Sequence, residues 1–159
     1  MEKKIDFENQ DSFAGIIFKM KNATQEEIDS HLRVCSGNFS PSLNEKVNIN
    51  EYSQKIFERA TTFEAWSSDT LVGLVAAYFN DFENHIGYIT HVSVMSAYQG
   101  IGIASELVKE CIKYAEQNQF KEIHLEVRKD NSLAIQLYKE IGFMDFEEKD
   151  DSVLMKFEI

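Results

Sequence analysis

A chain of 159 residues, 43% of them hydrophobic, has the size of one ordinary domain with a sizeable core, so residues 1–159 read as a single domain. Sixteen basic against 27 acidic residues give a formal charge of −11, a balance that repels nucleic acid, and no basic run exceeds a pair such as Arg128-Lys129. Met1 to Glu8 carry charges where a signal peptide needs an apolar run, and no later segment reaches membrane-spanning length, so a cytoplasmic chain without membrane contact is expected.

Thr24-Gln25-Glu26-Glu27 is a capping box, in which the threonine and the glutamate three residues on satisfy each other's backbone donors. It opens a helix running through Ile28, Leu32 and Val34 to Cys35. Ser36 to Asn48, with Gly37 and the only proline, Pro41, reads as a loop. Asn50 to Ala60 then places Tyr52, Ile56, Phe57 and Ala60 on one helical face.

From Thr62 the period becomes that of strands. Thr62 to Trp66 and Thr70 to Phe79 form a hairpin around Ser67-Ser68-Asp69, and the second arm is apolar enough to be central in a sheet. Ile86 to Val94 is the next strand. Its alternation puts Ile86, Tyr88, Thr90, Val92 and Val94 on one face, and Gly87, Ile89, His91 and Ser93 on the other.

The segment Gln99-Gly100-Ile101-Gly102-Ile103-Ala104-Ser105 opens a helix whose Leu107, Val108, Cys111, Ile112 and Ala115 form a buried stripe. Free N–H groups at such a helix entry favour an anion such as a pyrophosphate; the plainer reading is glycine chosen for turn geometry. Ile123, Leu125 and Val127 alternate in a further strand. Asn131 to Glu140 is a helix burying Ala134, Leu137, Tyr138 and Ile141, and Phe143 to Glu147 and Val153 to Phe157 are the last strands. Cys35 and Cys111 fit neither a metal-ligand spacing nor a disulfide framework and read as reduced thiols.

Taken together, a strand ending Val92-Ser93-Val94, the glycine turn, and then Asn131, Ala134, Tyr138 and Gly142-Phe143 resemble the GNAT superfamily of acyl-CoA N-acyltransferases. The resemblance covers Thr62 to the C-terminus, with Gln99, Gly102 and Ala104 meeting the family's phosphate-binding pattern. It implies an α/β fold of the α+β type, a mixed, mostly antiparallel sheet of six to seven strands flanked by about four helices. It also implies acetyl-CoA as co-substrate, no metal, and a small amine as acceptor. Acetyl would pass directly to a primary amine within a ternary complex.

On that resemblance, main-chain groups of Val92, Ser93 and Val94 would pair with the pantetheine arm and face the developing oxyanion. The N–H groups from Gln99 through Gly100, Ile101, Gly102, Ile103 and Ala104 to Ser105 would cradle the pyrophosphate. Tyr138 is the expected acid for the leaving thiolate; its alternative is an ordinary core tyrosine. His91 is the best-placed base, with a reference pKa near ~6.5, or else a strand histidine bonded to a neighbour. Asn131 is a cofactor contact, a helix N-cap, or both. Tyr78, Asn80 and Asp81 could reach the acceptor or form a strand end and turn, and Phe39, Tyr52, Phe57 and Trp66 are core or pocket wall.

A Rossmann dehydrogenase is a poor alternative, because Met95 to Tyr98 separate strand from glycines and the third glycine is missing. A non-catalytic acyl-CoA-binding module is the better rival. The acceptor is not legible; the segment Asn48 to Phe79 faintly resembles members acting on amino sugars, and dimerisation through exposed strand edges stays open.

Overall fold

The alternation of strand and helix periods is realised, among the described residues, as eight strands and five α-helices. A computed structural model describes residues 2–3, 13–39 and 41–159. Its strands are β1 (Glu2–Lys3), β2 (Ile16–Met20), β3 (Thr61–Ser67), β4 (Thr70–Asp81), β5 (Ile86–Val94), β6 (Glu122–Arg128), β7 (Met144–Glu148) and β8 (Ser152–Glu158). The helices are α1 (Gln25–Cys35), α2 (Leu43–Lys46), α3 (Ile49–Arg59), α4 (Ile103–Gln117) and α5 (Ser132–Ile141). Met1 and Lys4 to Glu8, on which the reading of the N-terminus rests, lie outside the described residues.

All eight strands form one sheet in the order β1-β2-β3-β4-β5-β6-β8-β7, antiparallel except for the β5–β6 pair. The strands beyond the six read individually from the sequence are β1 and β2. β2 is an apolar run broken only by Lys19, and it lies along β3. The fifth helix, α2, is one turn inside the segment expected to be a loop.

Two cores follow from the two faces of the sheet. Ile28 and Leu32 of α1 and Ile56 of α3 pack on Trp66, Leu71, Leu74 and Ala76. On the other face, Ile103, Leu107, Val108 and Cys111 of α4 and Tyr138 of α5 pack on Val72, Val75, Ile89, Leu125 and Val127. β4 is buried on both faces, as its continuous apolar run requires. Both cysteines are buried free thiols. Ala134, Leu137 and Ile141 are only half-buried, so α5 covers the core less fully than its stripe suggests.

The capping box of α1 forms as expected, with Thr24 and Glu27 each accepting the other's backbone N–H. A fully buried carboxylate anchors the preceding turn. Glu64 accepts from the N–H groups of Asn22 and Ala23, the Thr62 hydroxyl and the Trp66 indole. Four donors on one buried charge hold α1 against β3 and thereby fix the helix that carries His31.

Strict alternation along β5 fails at one point. Ala76 of β4 opposes His91, but Ala77 opposes Ile89, so Thr90 is an extra residue, a β-bulge. The bulge reverses the phase of the strand. Ile89, Val92 and Val94 face the α4–α5 core, whereas His91 and Ser93 face α1 and α3. His91 and Ile89 are therefore on opposite faces, contrary to the unbroken pattern.

Candidate active site

β5 and β6 pair only from Ile86 opposite Glu122 to Tyr88 opposite His124, yet β5 continues to Val94 and β6 to Arg128. The two parallel strands thus splay apart beyond Tyr88. Met95 donates its N–H to the Val72 carbonyl. Since successive residues of a strand address opposite neighbours, Ser93 turns its backbone groups toward β4, and those of Val92 and Val94 face the opening. Val94 agrees with this, because its carbonyl accepts from the Gln99 side-chain amide at 2.9 Å and from Asn38 at 3.5 Å.

Below the opening, Gly102 caps α4 at φ +97°, a left-handed conformation that glycine adopts without strain, and it offers no side chain to the helix end. The first α4 hydrogen bond runs from the Glu106 N–H to the Gly102 carbonyl. Among the described residues, the N–H groups from Gly100 to Ser105 have no acceptor. Gln99 departs from its expected part: its own N–H is committed to the Ser96 carbonyl at 3.3 Å, and its side chain ties the turn to Val94.

On α5, Asn131 is the N-cap and accepts the Ala134 N–H at 3.2 Å, so the cap reading holds for this side chain and that N–H is spoken for. Gly142 ends the helix at φ +126°, where an added Cβ would come within 2.9 Å of Phe157. Between these ends, the buried Tyr138 packs edge-on against Phe143, with ring centroids 5.7 Å apart. Burial pushes its phenol up to about 12, so it is protonated at neutral pH.

His91 occupies the other face. Its ring is buried between Phe39 and Tyr52, with centroid separations of 5.4 and 5.9 Å, and its Nε2 lies 2.8 Å from the Ser93 hydroxyl. Burial foremost, then the charges of His31 and Lys46, lower its pKa to about 3. The expectation of titration near 6.5 is corrected accordingly: desolvation keeps the imidazole neutral.

Around the bulge, Tyr52 donates to the Thr90 carbonyl at 3.0 Å and lies equally close to the Thr90 hydroxyl. The Tyr78 hydroxyl is buried nearby without a hydrogen-bond partner among the described residues. Asn80 is exposed, and Asp81 accepts from Asn84 within the following turn. Trp66 is core and Phe57 is largely exposed, while Phe39 and Tyr52 are partly buried against the α1–α3 core and border His91. Glu126, on the splayed part of β6, was missed by the sequence reading. Its charge, after burial, raises the phenol of Tyr88 across the opening, and its carboxylate also accepts from Ser152.

A model of the acetyltransferase (GNAT) family matches residues 26–143, more than half of the chain. The chain belongs to the GNAT family of acetyltransferases. The GNAT chain is 35% identical over 83 residues to an N-alpha-acetyltransferase of Arabidopsis thaliana, covering 52% of this chain and 44% of that protein. It is 41% identical over 58 residues to N-alpha-acetyltransferase 30 of Saccharomyces cerevisiae, covering 36% and 33%. The matched stretches span less than half the length of these curated relatives.

Among solved structures, the Paia N-acetyltransferase of Thermoplasma acidophilum, in complex with coenzyme A, superposes with a TM-score of 0.72 at 14% identity. The match covers 89% of the GNAT chain and 99% of that one, a likeness of fold. No helix among the described residues is long and apolar enough to cross a membrane, and no group of three His, Cys, Asp or Glu side chains there could hold a metal ion.

Proposed function

We propose that the protein transfers acetyl from acetyl-CoA to the α-amine of a peptide N-terminus. The observation that carries the cofactor half is the run of N–H groups from Gly100 to Ser105 without acceptors among the described residues, beside the stretch of β5 beyond Tyr88 that no longer pairs with β6 and where the Val94 carbonyl is taken by Gln99 and Asn38. Phosphates would sit on the α4 entry and the pantetheine arm would pair along Val92 and Val94, leaving the thioester between the two faces of the sheet. The acceptor half rests on the relatives, which are named as N-alpha-acetyltransferases. Those names favour a peptide α-amine over the small amine or amino sugar first expected.

In the reaction, the ammonium of the acceptor loses a proton and the free amine attacks the thioester carbonyl. The N–H groups of Val92 and Val94 face the oxyanion that forms. The C–S bond then breaks, and Tyr138 gives its hydroxyl proton to the departing sulfur, regaining one from the nitrogen. Burial that raises the Tyr138 phenol also raises a thiolate expelled into the same apolar surroundings, which narrows the gap between them. His91 stays neutral and serves as a hydrogen-bond acceptor on the acceptor face. The proton leaving the ammonium passes to water.

Tyr138→Phe separates catalysis from mere binding. Turnover should fall ~10²-fold or more, while the calorimetric affinity for acetyl-CoA stays within about twofold. An unchanged kcat would remove the acid role, and absence of any turnover in the unaltered protein would favour a domain that only binds acyl-CoA.

A further inference from the structure

The acceptor face holds a buried chain of polar groups of which the mechanism above uses only the last member, His91. The Leu71 carbonyl lies 2.8 Å from His31 Nδ1, His31 Nε2 lies 2.8 Å from the Ser93 hydroxyl, and that hydroxyl lies 2.8 Å from His91 Nε2. The three side chains come from α1 and β5, all are buried, and Cys35 Sγ closes the group at 3.6 Å from His31 Nε2.

The direction of this chain follows from what each group can do. A carbonyl only accepts, so His31 must carry its proton on Nδ1. A neutral imidazole then has a bare Nε2, and the Ser93 hydroxyl donates to it. With its hydrogen spent, the Ser93 oxygen can only accept from His91, which places a proton on His91 Nε2. Nδ1 of His91 is left bare. Burial lowers the pKa of both rings, consistent with two neutral imidazoles.

We propose that the Leu71 carbonyl, His31 and Ser93 form a one-way hydrogen-bond chain that locks His91 in its Nε2–H tautomer and keeps Nδ1 as a bare acceptor beside the acceptor amine. The tautomer follows from this geometry together with a neutral, buried His31; the use of Nδ1 rests on the acetyl-transfer reading above. His31 and Ser93 are thus positioning residues. They set which edge of the His91 ring can take a hydrogen bond from an incoming N–H or from the water beside it.

Long-range ¹⁵N–¹H correlation spectra of the imidazoles test this directly, since they report the tautomer of each histidine. His31 should be the Nδ1–H form and His91 the Nε2–H form. Ser93→Ala should give His91 a mixture of tautomers and lower kcat ~10-fold with the KM for acetyl-CoA unchanged, and Ser93→Thr, which keeps the hydroxyl, should restore both. A His91 in the Nδ1–H form, or one whose tautomer ignores Ser93→Ala, would overturn the chain. Altered tautomers with full kcat would remove the positioning role. If the unaltered protein acetylates no amine, the acetyl-transfer reading falls while the spectra still decide the tautomers.

Discussion

His91 and Tyr138 lie on opposite faces of one sheet, and burial governs how each holds its proton. For His91 the pKa falls from about 6.5 in the unfolded chain to about 3 in the fold, and that of His31 falls as well. Above pH 6.5 both states are neutral and the full stability is present. Below it the unfolded chain takes up protons that the native rings refuse, so stability declines as pH falls, by about 1.4 kcal/mol per pH unit for His91, with His31 acting in the same direction. Urea midpoints should therefore hold from pH 7.5 to about 6.5 and fall from there to pH 5, and His91→Gln should make that fall shallower. A midpoint independent of pH over that range would mean that water reaches both rings. The burial of Tyr138 was legible in the stripe of its helix, but the environment of His91 was not, because its desolvation is set by Phe39 and Tyr52, which arrive from distant segments.

The element that shapes the site is β5. Its length and apolar content were plain from the sequence, and its ends coincide with those expected. The bulge at Thr90 was not plain, since alternation of residue types cannot report an extra residue that is stabilised from outside the strand. Here the outside support is Tyr52 of α3, whose hydroxyl donates to the carbonyl of the bulge residue. Tyr52→Phe should destabilise the fold by about 1 kcal/mol and lower kcat/KM for the acceptor more than for acetyl-CoA. Equal losses for both substrates would show that the bulge does not shape the acceptor side specifically.

The entry to α4 was the clearest sequence signal, and the reason is physical. A left-handed helix cap and bare N–H groups both call for glycine, so position 102 announces its conformation. Gly102→Ala must adopt φ near +97° with a Cβ, which should cost about 1 kcal/mol in stability. It should also weaken acetyl-CoA binding, checked by calorimetry; unaltered affinity would place the phosphates elsewhere.

At the scale of the molecule, the sheet divides the chemistry into two sides. One carries α4, α5 and Tyr138 and is built from the segments whose motifs the sequence displays. The other carries α1, α2 and α3, with His31, His91, Phe39 and Tyr52, and the acceptor side takes its form from their packing. That contrast explains why the proposed cofactor site was readable from short spacings and the proposed acceptor side was not. A phosphate cradle is a local backbone device, whereas the surroundings of His91 are assembled from distant segments, Phe39 and Tyr52 among them. β2, the strand left unassigned, belongs to the same lesson: five residues carry too little period to stand out until β3 lies beside them.

The most direct test is the release of free thiol from acetyl-CoA with a panel of peptides of varied N-terminal residue, set against nucleotide amino sugars, polyamines, aminoglycosides and free amino acids. Peptide-dependent release, with acetyl found on the α-amine by mass spectrometry, is the predicted result. Release that follows a small amine and ignores every peptide would contradict the proposed acceptor, and no release with any member of the panel would contradict the proposal of acetyl transfer.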